Sequence, residues 1–245
     1  ATTFSGDDVG GPACETGRKD RRAENRWSKP RKGNTSRHGP PRLGGSSGTS
    51  QIRDSATMST VDAPDWTTIP APQDDGAARH LIGAPMASVP LWATDGRIID
   101  LSLLPGRIVV YAYPRTGKPG IANPDGWDMI PGARGCTPQS CAFRDHFSEL
   151  KALGVDHLFG LSTQDPEYQY EAAERLHLPF AILSDMALAL TEAMNLPTFE
   201  VDGTTLLKRF TLVIEDGRIV FVFYPVFPPD RSATDVVAWL AQQAK

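Results

Sequence analysis

Apolar positions are sparse along the first third of the chain and recur with strand and helix periods from about His80 onward. In VPLWATDGRIIDL the apolar residues flank Asp95-Gly96, a strong short-range hairpin signal. Arg107–Pro114, RIVVYAYP, is an unbroken β-branched and aromatic run, which predicts a buried central strand ended by Pro114. Thr116 to Gly135 has many glycines and prolines and little periodicity, so a long loop is expected there. In TPQSCAFRDHFSELKALG, Phe143, Phe147, Leu150 and Leu153 fall at helical spacing, and Gly154 suits the residue just past the helix. VDHLFGLS reads as a strand. Asp165 and Pro166 read as the cap and first residue of a helix over DPEYQYEAAERLHL. A short strand FAILSD and a helix MALALTEAMNL follow. RFTLVIEDGRIVFVFYP predicts two strands joined at Asp216-Gly217, and SATDVVAWLAQQAK a closing helix capped by Ser232 or Thr234.

Strands alternating with helices imply a sheet with parallel pairs, covered on both faces. The terminal hairpin makes that sheet mixed. The expected fold is therefore α/β, a thioredoxin-like three-layer sandwich over residues 80–245, with no internal repeat.

Composition separates this domain from what precedes it. Residues 1–57 carry 11 Lys+Arg against 6 Asp+Glu, leaving 14 against 23 in the rest of a 245-residue chain of net charge −4. Their Val, Leu, Ile and Phe side chains are Phe4, Val9, Leu43 and Ile52 alone, too few to offset the entropy of ordering. Residues 1–57 are expected to be a disordered tail or a non-native upstream segment with Met58 as the natural start. A targeting peptide is the rival reading, against which the six acidic residues count. Residues 58–79 are expected to form an extended linker. Without interleaved aromatics the basic tail does not predict nucleic-acid binding. No apolar run approaches the roughly 18 residues of a membrane span, so no membrane partner is expected, and a cytoplasmic location follows by default.

Three cysteines are too few for a disulfide scaffold. Cys14 lies in the tail and carries no expected role. Cys136 and Cys141 lie in GARGCTPQSCAFRD. Pro138 suits a first helical turn, which puts Cys136 at or beside the start of the helix. Free backbone N–H groups and the helix dipole there favour an anion, hence a thiolate. Full ionisation gains only about 30-fold in thiolate at pH 7, so fast chemistry also needs donors aimed at the transition state. Five residues of ideal helix separate the two Cα atoms by about 8–9 Å, beyond the roughly 7 Å reach of a disulfide. A bond between them requires local unwinding. The histidines show no ligand spacing and there is no CxxC, so no metal and no cofactor is expected. Read alone, Cys141 could equally be a small buried core residue, whereas Cys136, beside Gly135 and Pro138, fits that reading less well.

The block Gly135-Cys136-Thr137-Pro138-Gln139-Ser140-Cys141-Ala142-Phe143-Arg144-Asp145 resembles the GCTxxxCxxRD block of the peroxiredoxin Q, or bacterioferritin comigratory protein, group. The opening LIGAPMASVPLWATDGRIIDLSLLPGRIVVYAYP and the late RFTLVIEDGRIVFVF resemble that family's first hairpin and strand and its terminal hairpin. The resemblance spans about residues 80–245. It implies a thiol-dependent peroxidase for hydrogen peroxide or organic hydroperoxides. Cys136 would be the peroxidatic cysteine and Cys141 the resolving one, giving an intramolecular disulfide recycled by a thioredoxin- or glutaredoxin-like donor. Arg209 would stabilise the thiolate and orient the peroxide. Thr116, Thr137 and Gln139 would contact substrate, and Arg144 matches the block. A monomer or weak dimer is implied. The family's Pro and Thr, seven and three residues before the peroxidatic cysteine, are Met129 and Ala133 here. An insertion of more than a dozen residues follows YPRTG; Pro114 and Thr116 before it, or Pro131 within it, are the candidates to supply them. Trp127 and Ile130 in the insertion either line a pocket for organic peroxides or anchor the loop. The competing function is a thiol–disulfide oxidoreductase or redox-responsive binding module of the same fold.

Overall fold

The run of β-branched and aromatic residues at 107–112 is buried on both faces, as its lack of polar alternation requires. It forms β3 (Arg107–Ala112), third from one edge of a seven-stranded sheet ordered β2 (Ile98–Asp100), β1 (Pro90–Ala93), β5 (Ile182–Ser184), β4 (His157–Ser162), β3, β8 (Phe210–Glu215), β9 (Arg218–Phe223). The structure, a computed structural model, describes residues 65–243. The expectations for residues 1–57 and for the start of the linker lie outside that range.

β3 pairs in parallel with β4 (His157–Ser162), and β4 with β5 (Ile182–Ser184). β1 (Pro90–Ala93) and β2 (Ile98–Asp100) form the Asp95-Gly96 hairpin, antiparallel to β5. β8 (Phe210–Glu215) and β9 (Arg218–Phe223) form the Asp216-Gly217 hairpin, antiparallel to β3. The sheet is mixed, as expected. A second sheet, β6 (Thr198–Val201) with β7 (Thr204–Leu207), was not anticipated from the sequence.

Alternation along β3 divides the interior. Ile108, Val110 and Ala112 join one core with Leu190 and Met194 of α4 (Ala189–Met194). Val109, Tyr111 and Tyr113 join a second core with Cys136 and Phe143 of α1 (Cys136–Asp145), Leu150 of α2 (Phe147–Ala152), and Ala233, Val236 and Leu240 of α5 (Ser232–Gln243). α3 (Pro166–Arg175) lies against the same side through β5 and is capped by Asp165, whose carboxylate accepts from the Tyr168 amide at 2.8 Å. Helices on both faces of a mixed sheet make the three-layer sandwich.

Three expectations are corrected. The helix predicted through Leu153 breaks at His146, whose ψ of 7° leaves the helical range for one residue and separates α1 from α2. Neither Ser232 nor Thr234 caps α5. A 3-10 turn, Pro229–Arg231, runs straight into the helix, so Ser232 is its first residue and its hydroxyl turns inward. The described part of the linker is not extended away from the domain. Trp66–Thr68 is a 3-10 turn capped by Asp65, and Ala78 is buried in the first core. Among the described residues no helix is long and apolar enough to cross a membrane.

Candidate active site

Gly135 precedes α1 with φ of +103°, a conformation open to glycine at little cost. A Cβ there would also sit 2.6 Å from Pro229 Cγ and 2.7 Å from Trp66 Cη2. Cys136 is the first helical residue, and Pro138, with no N–H to leave unpaired, sits in the first turn. The first intrahelical bond runs from the Gln139 amide to Gly135 O, at 3.0 Å. The backbone N–H groups of Cys136 and Thr137 thus have no intrahelical acceptor and point outward from the helix end beside the sulfur.

The Cys136 side chain is buried at 4% exposure. Its Sγ accepts from Arg209 Nη2 at 3.2 Å and faces Ala133 O at 3.6 Å. Arg209, immediately before β8, is itself 2% exposed. Nη2 is shared with the carbonyls of Gly132, Ala133 and Arg134 at 3.3, 3.3 and 3.2 Å. Nη1 donates to Gln139 Oε1. Gln139 Nε2 in turn donates to Ser232 Oγ at 3.3 Å, and that hydroxyl lies 3.2 Å from Thr211 Oγ1. A chain of polar groups from β8, α5 and α1 therefore fixes the guanidinium. Among the described residues Arg209 has no carboxylate within salt-bridge distance, and its Nε is buried without a partner. The anion-forming group within its reach is the Cys136 sulfur.

Cys141 is half-buried on the same helix, and both thiols are free. Burial pushes the Cys141 thiol up; Arg144 and Arg175 oppose this and Asp145 adds to it. Beneath the helix, Tyr111 stacks on Phe143 at 4.4 Å, and its hydroxyl donates to Ser140 Oγ at 3.1 Å. Burial raises that phenol, so it stays a neutral donor. In this intact helix the two cysteines are held apart.

The structure brings together Cys136, Arg209 and Gln139, but Gln139 grips the arginine instead of facing substrate. Thr137 lies half-buried in the first turn, with no side-chain hydrogen bond among the described residues. Thr116 is not joined to the thiol. Its amide and hydroxyl donate to Gln164 Oε1 at 2.8 and 3.2 Å, and its carbonyl accepts from Gln164 Nε2 at 3.1 Å. Ala133 contributes its carbonyl, and Met129 is exposed. Trp127 and Ile130 both help to anchor the inserted loop. Trp127 anchors the loop in a small core with Ala133 and Leu206, under the Arg115 guanidinium at 5.8 Å. Ile130 lines a cavity of about 260 Å³ with Pro72, Gly132, Phe199, Arg209 and Tyr224. Ser232 and Thr211 escaped sequence reasoning because a buried hydroxyl node has no local pattern.

A family profile described as Redoxin matches residues 77–238. Peroxiredoxin Bcp of Escherichia coli K12 is 32% identical over 166 residues, covering 66% of this chain and 94% of the relative. Chloroplastic peroxiredoxin Q of Oryza sativa subsp. japonica is 29% identical over 138 residues, 56% of each protein. The chain thus spans little more than half the length of that plant relative. Among solved structures, peroxidoxin BcpB of Mycobacterium tuberculosis is similar with a TM-score of 0.53 and 25% identity, covering 66% of this chain and 96% of that one. Peroxiredoxin Q of Xanthomonas campestris, at 23% identity and a TM-score of 0.53, shares the fold.

Proposed function

The chain belongs to the Redoxin family, in its peroxiredoxin Q and bacterioferritin comigratory protein group, and from that premise we propose that it is a thiol-dependent peroxidase. The observation that carries the proposal is the Arg209 Nη2 contact with Cys136 Sγ at 3.2 Å, made by a guanidinium without a carboxylate partner among the described residues. Cys136 thiolate attacks one oxygen of a hydroperoxide. The O–O bond breaks, the alkoxide or hydroxide takes a proton and leaves as alcohol or water, and Cys136 becomes a sulfenic acid. Arg209 and the outward N–H groups of the helix start face the charge that moves from sulfur to the leaving oxygen. Gln139 holds Arg209 in line.

Cys141 then attacks the sulfenic sulfur. A disulfide forms and water is lost, once the first turn of α1 has unwound. A dithiol donor of thioredoxin or glutaredoxin type reduces it by exchange. The cavity beside Arg209, lined by Ile130 and Phe199, suits the apolar tail of an organic hydroperoxide as well as hydrogen peroxide. In this reading the enzyme works as a monomer or weak dimer in the cytoplasm, although the curated plant relatives are chloroplastic. Cys136→Ser is expected to abolish peroxide turnover; retained turnover would refute the assignment.

A further inference from the structure

Residues 65–76 precede the span 77–238 that the Redoxin profile matches, and they lie across the start of α1. Trp66 Nε1 donates to Asp230 Oδ2 at 2.8 Å, 164 residues away. The ring meets Phe227 edge-on at 6.1 Å. Its Cη2 lies so close over Gly135 that glycine alone fits between it and Pro229. Farther along, Pro72 lies against Gly132, where a Cβ would be 3.4 Å from Pro72 Cγ. Asp75 then ties the segment down, accepting from Lys208 Nζ and, at 2.6 Å, from the Tyr224 hydroxyl. The segment is a strap with two fastenings, and it lies against Gly132 and Gly135.

Disulfide formation needs Cys136 and Cys141 to approach from about 8–9 Å between Cα atoms to under about 7 Å, so the Gly135–Cys136 joint must leave its slot. That slot is walled by Trp66 on one side and Pro229 on the other. We propose that Trp66 is a positioning residue that clamps this joint, keeps the first turn of α1 wound, and so sets how long the Cys136 sulfenic acid survives before Cys141 reaches it. What that lifetime means rests on the peroxidase reading; the clamp itself rests on geometry alone.

Two reactions compete for the sulfenic acid. In one, the Cys141 thiol and the Cys136 S–OH give the S–S bond and water. In the other, the Cys136 sulfenate takes a second oxygen from another hydroperoxide, giving sulfinate and the corresponding alcohol or water. A clamp that slows unwinding slows the first reaction and leaves the second untouched. The strap thereby makes the enzyme easier to over-oxidise.

The test compares the full chain with Trp66→Ala and Trp66→Phe. Amide hydrogen exchange is read in the reduced state, and disulfide formation after one equivalent of hydrogen peroxide is read by acid quench and mass. In Trp66→Ala the amides of residues 139–141 are expected to exchange about tenfold faster, the factor one lost hydrogen bond and ring contact supports. Amides of β3 and β4 should not change. The disulfide should form faster by a similar factor, with the rate of the first oxidation unchanged. Trp66→Phe, which keeps a ring but loses the bond to Asp230, should fall between. Unchanged exchange at 139–141, or equal acceleration throughout the sheet, would overturn the clamp. If the wild-type protein forms no sulfenic acid, the peroxidase reading fails, and the exchange data still decide the clamp.

Discussion

Arg209 Nη2 lies 3.2 Å from Cys136 Sγ, although 73 residues separate them in sequence. The contact exists because β8 runs antiparallel to β3 and places the residue just before it at the end of the sheet where α1 begins. Both groups are almost wholly buried, so water screens the interaction little.

Removing the guanidinium should therefore slow the first chemical step. Arg209→Met is expected to lower the second-order rate of Cys136 oxidation by about 10–100-fold, the range of one charge-assisted hydrogen bond of about 1.5–3 kcal/mol. Stopped-flow oxidation by hydrogen peroxide measures it. A rate within twofold of wild type would remove Arg209 from the mechanism.

Gln139 acts through Arg209. Gln139→Leu leaves Nη1 without its acceptor and should slow oxidation by about fivefold, less than Arg209→Met does. The effect should vanish when Arg209 is already methionine, because the two side chains work as a unit. Additive losses in this double-mutant cycle would show an independent role for Gln139.

How much of this could be read from the chain depended on how local each signal was. β3 and the Asp95-Gly96 and Asp216-Gly217 hairpins carry their pattern in a few neighbouring residues, and they stand where expected. Asp202-Gly203 offers the same turn signal, but β6 is mostly half-buried and neither it nor β7 shows a clear apolar alternation, so the hairpin has no pattern to read. Cys136 at a helix start was legible from Gly135 and Pro138. Arg209 was legible through resemblance alone. The inward turn of Ser232, the grip of Gln139 and the seat of Trp66 against Asp230 depend on segments that meet only in the folded chain.

Gly135→Ala is expected to destabilise the fold. A left-handed backbone costs a non-glycine residue roughly 1–2 kcal/mol, and the new methyl would meet Pro229 and Trp66 inside 3 Å. A loss of at least about 2 kcal/mol in urea unfolding is the predicted result. A loss under 0.5 kcal/mol would mean that the joint is looser than its geometry.

Resolution should depend on pH. Burial pushes the Cys141 thiol above its ordinary value of 9.0, and the thiolate is the attacking form. Below that value the thiolate fraction rises tenfold per unit of pH, so disulfide formation from the sulfenic acid should accelerate about tenfold per unit between pH 6 and 8. Rapid-quench alkylation at several pH values follows it. A flat profile would contradict attack by the Cys141 thiolate as the slow step.

The central claim is that Cys136 is oxidised by peroxide and resolved by Cys141. Intact mass and thiol mapping test it most directly, on fully reduced protein mixed with one equivalent of hydrogen peroxide and quenched within seconds by an alkylator. The account predicts a loss of two hydrogens, with Cys136 and Cys141 the two thiols newly protected. If every thiol remains alkylatable, the peroxidase account is contradicted, and exchange with protein disulfides becomes the activity to measure.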